Sequence, residues 1–388
     1  MGARRRRQRG YRVKERIEYL DGLRAIAVLL VVLDHLAWHS PLLPNFADAP
    51  VFGQTWPNIV AHLFLEGSHG VDLFFVISGF CLSYPTLHAL KIAAHTDFDI
   101  GHFLARRIVR IVPPFYCALL LFGVPRILQH DVGVTDLLKQ ALFFNPGTAV
   151  VNESFWTLAV EFRWYLCFPL LLWLWMRAPR IFLALLITDI AAFNLTTVCP
   201  IDVGTLPAFM LGIVAADIQI NKHHIGRWAL LGSGVMLVAA ITLEPLFAPS
   251  GAHNTVSFAQ TQITWQVAAF FFVVASGWNK YLRRLLSTRV LIAIGIASYS
   301  IYLVHAPIVG AADIWLTARY GLVAASLAGM IVTLAISFEY WRLFERPFVQ
   351  SALKPALVSY VLRFLRRSAA YLGIPLAYQL DRRSPISS

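Results

Sequence analysis

Arg24 and His35 stand eleven positions apart in an apolar run that also holds Asp34. On a helix, 100° per residue returns them to within about 20° of one face and separates their backbones by roughly 16 Å. That helix would present a cation near one end and an imidazole deep inside, both facing one groove. Alone, Arg24 reads as a headgroup anchor and His35 as an interhelical hydrogen-bond partner. Together they suit a long ligand with an anionic head and a reactive tip, because imidazole titrates near neutrality and serves as a general base. In LARRIVRIVPPFY, Arg107 and Arg110 are i,i+3 on one face. Guanidinium forks so placed grip phosphate oxygens, and the same residues also suit the basic anchor of a span.

Other polar side chains interrupt otherwise apolar strings. In HGVDLFFVISGFCLS, Asp72 could orient a histidine on a neighbouring helix; Asp34, about 100° around from His35, is the poorer candidate for that task. Ser78 reads as a covalent nucleophile or as hydroxyl packing between helices, without a GxSxG-like elbow around it, and Gly79 permits close helix approach. In WTLAVEFRWYLCFP, Glu161 and Tyr165 share a face beside Trp156, Arg163 and Trp164, an arrangement suited to sugar binding or to an interfacial aromatic belt. In SYSIYLVH, Ser298, Tyr302 and His305 form one polar stripe that could line the same cavity. His35, His39 and His305 raise a haem or metal site, but no HExxH or carboxylate-histidine set accompanies them. Cys81, Cys117, Cys167 and Cys199 show no CxxC spacing, so neither a zinc site nor a disulfide framework is expected.

The elements that would hold these residues follow from composition. The chain has 388 residues, 58% hydrophobic and 14% charged, against about half and a quarter in soluble domains. A water-soluble enzyme is excluded, and the expected fold is all-α, a polytopic membrane bundle. Apolar windows near 22–40, 60–84, 108–125, 154–176, 180–197, 203–220, 228–247, 262–278, 290–316 and 320–341 give about ten spans. Within or near them lie Asp34, His35, Asp72, Glu161, Arg163, Asp189, Asp217, His305, Asp313 and Glu339. A charge at the bilayer centre costs about 2.5–3.5 kcal/mol, so such groups must face protein or a wet cavity.

Of 33 Lys and Arg, eight lie in the first sixteen residues and eight at or after Arg342. This distribution suits membrane orientation and anionic lipid rather than nucleic acid. Connections 41–59, 198–202 and 248–261 lack Lys and Arg, while the alternate ones carry Lys91, Arg106, Arg107, Arg177, Arg180, Lys222, Arg227, Lys280, Arg283, Arg284 and Arg289. The positive-inside rule then places both termini in the cytoplasm and the bundle in the cell (inner) membrane. The expected organisation is a basic cytoplasmic tail over 1–17, a membrane domain over 18–349 and a basic C-terminal tail over 350–388. In that last tail, residues 352–372 read as a helix on the inner leaflet or as a solvated tail. Leu137 to Phe144, ended by Asn145-Pro146-Gly147, is too short to cross and reads as interfacial or re-entrant. The first apolar run lacks a cleavage site and is expected to be a retained span, and the opening residues lack a myristoylation pattern.

The strings YLDGLRAIAVLLVVLDH, GVDLFFVISGF, RRIVRIVPPFY, WTLAVEF, SYSIYLVH and FERPF, in this order from about residue 18 to 349, resemble the acyltransferase-3 family of integral-membrane acyltransferases. The resemblance implies about ten helices and transfer of an acyl group, often acetyl, from cytoplasmic acyl-CoA. The implied acceptor is a hydroxyl of a saccharide, glycan, lipid-linked sugar or small natural product. Acyl-CoA is thus the implied donor substrate, with no permanently bound cofactor. It also implies that Arg24 and His35 are the family's first-helix arginine and essential histidine, and that Arg107 and Arg110 are the pair holding CoA phosphates. Asp72, Ser78, Gly79 and Phe80 match its second-helix motif, and Glu161 its later glutamate. Ala25 stands where Gly is common, and Phe162 where many members carry a second carboxylate. No SGNH-hydrolase-like domain is appended, which suggests a stand-alone enzyme. The alternatives from other classes are a transporter or flippase for an anionic saccharide or lipid, for which no inverted repeat is visible, and the haem or metal protein above.

Overall fold

The computed structural model describes residues 17–38, 67–92, 95–144, 151–195, 201–247, 255–320 and 322–381. The basic run 4–16, His39, connection 41–59, Asn145-Pro146-Gly147 and Cys199 lie outside them. The described chain is built mostly of helices. In chain order they are α1 (Glu18–Trp38), α2 (Gly70–Ile92), α3 (Ile100–Leu128), α4 (Val134–Ala141), α5 (Phe155–Arg177) and α6 (Pro179–Leu195). There follow α7 (Ile201–Asn221), α8 (Ala229–Phe247), α9 (Thr255–Trp278), α10 (Lys280–Leu286), α11 (Arg289–Ile296) and α12 (Ser298–Tyr320). The last are α13 (Leu322–Tyr340), a π-helical turn (Trp341–Glu345), α14 (Arg346–Gln350) and α15 (Leu353–Tyr371).

Where the apolar windows read from the sequence fall on described residues, those residues are mostly helical. Among the described residues, five stretches are long and apolar enough to cross a membrane: Gly67–Ile92, Ile100–Leu128, Phe155–Arg177, Gly204–Asn221 and Ala324–Gln350. The window 290–316, expected as one span, is instead broken between α11 and α12 with a bend of 73°, and would make a sixth if counted as one. Close backbone contact accompanies that break. A Cβ on Gly295 would lie 1.9 Å from the Asp21 carbonyl oxygen, so α11 presses its backbone directly onto α1.

Helix α1 is the axis of the bundle because its residues divide by helical phase. Leu20, Leu23 and Ala27 enter one core with α2, α5, α7 and α9. Ala25, Val28, Val32 and Leu36 enter a second core with α3, α5 and α12. Arg24 and His35, eleven apart, share a stripe of α1 on which Val31 also lies, and Val31 belongs to the second core. Helices α2 and α7 meet at glycines: a Cβ on Gly79 would lie 2.1 Å from the Phe209 oxygen, and one on Gly212 2.2 Å from the Val76 oxygen. Small residues of this kind let backbones approach where lipid supplies no hydrophobic drive between helices.

Among the described residues, the chain departs from an all-α reading in one place. Strands β1 (His95–Asp99) and β2 (Ala377–Asp381) pair antiparallel, with Asp97 opposite Gln379. Phe98 packs on Tyr378 with ring centres 5.4 Å apart, and the Tyr378 hydroxyl donates to the Pro169 carbonyl at 2.6 Å. Beside this ribbon, α15 packs Val358 on Ala105 and Val109 of α3, and Arg366 donates to Asp99 at 2.8 Å. Residues 352–372, read from the sequence as a helix on the inner leaflet or a solvated tail, are helical over Leu353–Tyr371, and that helix packs on α3. Helix α4 covers the first part of the run Leu137 to Phe144; Val134 and Leu138 are exposed on it, and Leu142 is exposed just after it.

Candidate functional site

A cavity with about 790 Å³ of empty space, open mouth included, lies between α1, α2, α3, α5 and α12. Along α2 its lining runs from Leu82 to Val71, which is about 16 Å of helix. The end nearer the start of α3 is cationic: Arg24, Arg107 and Arg110 all line the cavity. Arg24 donates to Asp21 at 3.2 Å and to the Cys81 sulfur at 3.3 Å. Arg107 lies over the Tyr165 and Phe103 rings, at 5.4 and 5.9 Å from their centres. Among the described residues no carboxylate comes within 4.0 Å of Arg107 or Arg110, so two guanidinium groups face a cavity without a direct counter-ion.

Glu161 occupies the middle of the cavity. Its Oε1 accepts from Ser78 Oγ at 2.7 Å and from the Tyr165 hydroxyl one turn along its own helix. Ser78, Glu161, and the pair Ser298 and Tyr302, singled out by sequence on three helices, thus line one space. Tyr299 lines it as well, its hydroxyl donating to the Ile111 carbonyl at 2.9 Å.

The far end closes on Tyr302, hydrogen-bonded to Thr157 at 2.7 Å. Behind it stands His305, fully buried, with ring centres 5.4 Å apart, and behind that His35, whose ring meets the His305 ring edge-on at 4.7 Å. His35 and His305 therefore do not line the cavity with Arg24, contrary to the single groove expected from their spacing. The stripe on α1 is common to Arg24 and His35, but the aromatic pair from α12 intervenes. Two further residues surround this outer pair: Ser154 Oγ lies 3.4 Å from His305 Nε2, and Glu153, largely exposed, lies 3.9 Å from His35 Nε2.

Backbone carbonyls fix both tautomers. His35 Nδ1 is 2.9 Å from the Val31 oxygen and His305 Nδ1 is 2.9 Å from the Tyr302 oxygen. A carbonyl only accepts, so each Nδ1 carries the hydrogen and, in the neutral ring, Nε2 carries the lone pair.

Asp72 departs from its expected task. Its carboxylate accepts from His69 at 2.8 Å, Gln262 at 3.1 Å and Gln266 at 3.0 Å, in a buried network where His69 stacks on Trp265. It orients His69, three residues earlier, rather than His35. Asp34 Oδ2, the poorer candidate by helical angle, lies 3.7 Å from His35 Nδ1, on the other side of the ring from Glu153. Adjacent side chains on a helix diverge at Cβ, but a bent carboxylate and an imidazole reach back toward each other.

Thr157 and Tyr299 of the lining, Glu153 and Ser154 beside the histidines, and Cys81, Asn152 and Glu345 were not singled out by sequence. Cys81 looks apolar in a helical string; Asn152, which donates to the Leu303 carbonyl at 3.0 Å, lies in a connection. Glu345 is buried, accepts from Ser300 at 2.6 Å and ends the π-helical turn. Glu345 sits in the FERPF string, and a carboxylate between aromatic residues was the available signal. π-turns concentrate at functional sites.

Fold and site together define a multi-pass membrane protein with a cavity that begins at arginines and closes at Tyr302, in front of two histidines. Residues 17–342 match the family model for the acyltransferase domain, and the chain belongs to that family, as the six ordered strings suggested. Relatives include Acyltransferase MdmB of Streptomyces mycarofaciens, 26% identical over 367 residues that cover 82% of this chain and 88% of the relative. O-acetyltransferase OatA of Staphylococcus aureus is 24% identical over 337 residues, 75% of this chain and 50% of the relative. Peptidoglycan O-acetyltransferase OatA of Listeria monocytogenes is 23% identical over 337 residues, 75% and 49%. The chain thus spans about half the length of the two OatA relatives. No solved structure matches it. The protein is an enzyme that transfers acyl groups, and the family with these relatives supports transfer to a hydroxyl.

Proposed function

We propose that the protein moves an acetyl or other short acyl group from cytoplasmic acyl-CoA to a hydroxyl of a saccharide or other hydroxyl-bearing acceptor, with His35 as general base. The observation that carries this reading is the cavity itself, about 16 Å from Leu82 to Val71, cationic at one end and closed at the other by the aromatic pair in front of His35. That length is comparable with the pantetheine arm. Arg24, Arg107 and Arg110 would hold the phosphates, and the thioester would lie at Tyr302. For the acceptor's proton to reach His35 Nε2, the wall at Tyr302, where Thr157 donates a hydrogen bond at 2.7 Å, would have to open.

In the reaction, the acceptor oxygen attacks the thioester carbonyl carbon while its proton passes to His35 Nε2. The carbon–sulfur bond then breaks, and the departing CoA sulfur takes that proton, leaving ester, free thiol and neutral imidazole. Asp34 stands where it would favour the transient imidazolium. General-base help of this type is worth about 10²–10⁴ in rate. A bundle of about ten spans in the cell membrane with both termini in the cytoplasm would open the arginine end to the cytoplasmic donor. In the OatA relatives the named product is an O-acetylated molecule, peptidoglycan in one case, which supports a saccharide acceptor here.

Membranes holding the protein, incubated with radiolabelled acetyl-CoA, should yield a labelled ester. The His35→Ala variant should lose about 10²-fold or more of that product while remaining inserted; normal turnover would remove this mechanism. One observation favours a second route: Ser78 Oγ already donates to Glu161 at 2.7 Å, the pairing of a nucleophile with its base. Acid-stable label retained on the wild-type protein and absent from Ser78→Ala would select that route.

A further inference from the structure

The cationic end of the cavity is larger than its lining. Arg366 of α15 pairs with Asp99 at 2.8 Å, and Val358, eight residues earlier, packs on Ala105 and Val109. The two helices are therefore antiparallel here, and continuing the same register by one turn sets Lys354 alongside Arg110. Lys354 lies four residues before Val358 and so shares its α3-facing side. It is half-buried there, and its Nζ uses one donor on the Val349 carbonyl at 3.2 Å. An ammonium group has three donors, so two remain for a ligand. Lys354 also lies beyond residues 17–342, the part of the chain that the family model covers.

We propose that Lys354 binds the 3′-phosphomonoester at the nucleotide end of acyl-CoA, outside Arg107 and Arg110, which hold its pyrophosphate. This rests on acyl-CoA being the donor. The order follows from position: Arg107 and Arg110 line the cavity that would take the pantetheine arm, whereas Lys354 stands beside them at its rim, on an element outside the lining. The pyrophosphate is joined to pantetheine, and the 3′-phosphate is the charge farthest from the thioester. Burial, and then the charges of Arg110, Arg107 and Arg106, pull the Lys354 ammonium below the usual lysine range. The fold holds these like charges together, and a phosphate dianion would relieve their repulsion. The ribbon of β1 and β2 and the Arg366–Asp99 pair fasten α15 in this position, which gives the C-terminal segment a task at the donor site.

The test is calorimetric titration of the full-length protein in detergent with CoA and with 3′-dephospho-CoA. Wild type should bind CoA about tenfold more tightly, the worth of one charge-assisted contact. Lys354→Gln should bring CoA down to the affinity of dephospho-CoA and leave dephospho-CoA unchanged, while Lys354→Arg should keep the preference. Equal wild-type affinity for the two ligands overturns the inference without any substitution. So does a Lys354→Gln variant that weakens both alike. A wild-type protein that binds neither overturns the donor reading on which the inference rests.

Discussion

At the scale of single residues, the outer end of the site depends on a ring holding a ring. His305 is fully buried and meets His35 edge-on at 4.7 Å, with its own Nδ1 tied to the Tyr302 carbonyl at 2.9 Å. Truncating His305 would remove the ring packed against the His35 imidazole and leave that imidazole room to tilt. A misplacement of about 1 Å can cost about 10²-fold in rate, so His305→Ala should lower kcat by that order. The affinity for CoA should stay unchanged, because its arginines lie at the other end of the cavity. His305→Phe restores the aromatic wall and should recover most of the loss; equal loss in both variants would assign the effect to the nitrogens instead. Sequence spacing already put Arg24 and His35 on one stripe of α1, and Ser298, Tyr302 and His305 on one stripe of α12. It did not contain the depth at which the second stripe crosses the first, which decides that Tyr302 faces the cavity and His305 does not. Asp72 was misjudged for a related reason: its partners Gln262 and Gln266 are 190 and 194 residues away in the chain, and no local pattern brings them together.

At the scale of elements, the helix contact most exposed to a small change is that of α2 on α7. A methyl group at Gly79 would lie 2.1 Å from the Phe209 carbonyl oxygen, a rigid backbone atom that cannot turn away. The helices would have to separate, and overpacking of this kind costs about 1–3 kcal/mol. Gly79→Ala should therefore lower the melting temperature of the detergent-solubilised protein. It should also weaken activity through Ser78, the preceding residue, which lines the cavity. An unchanged melting temperature would mean that α2 and α7 are not held this closely. Helices were the legible part of the fold, since long apolar windows between polar connections leave little other choice in a membrane. The break between α11 and α12 was not legible, because the strings on both sides are apolar and the break accompanies a contact between Gly295 and α1. Nor was the ribbon of β1 and β2, whose five-residue strands lie some 280 residues apart and have too little alternation to announce themselves.

At the scale of the whole molecule, basic residues and helix ends sort into two groups. Lys91 at the end of α2 donates to the Ile220 carbonyl at the end of α7. Gly226, just before α8, lies against Trp278 at the end of α9, and Gly22 near the start of α1 lies against Leu286 of α10. All of these contacts join ends that the positive-inside rule assigns to the cytoplasm. At the opposite ends, Gly67 before α2 abuts Leu30 of α1, and Arg126 near the end of α3 donates to the Val151 carbonyl before α5 at 3.2 Å. The two sets do not mix, as an alternating chain requires. The side carrying Arg283 and Arg284 should therefore face the cell interior, and the arginine end of the cavity with it. A cysteine placed at Asp131, exposed in the turn after α3, should react with a membrane-impermeant maleimide in intact cells once the native cysteines are replaced. A cysteine at Arg284, equally exposed on α10, should react only after permeabilisation. The reverse pattern would turn the arginines away from cytoplasmic acyl-CoA, and the donor could then not enter by the route its charge demands.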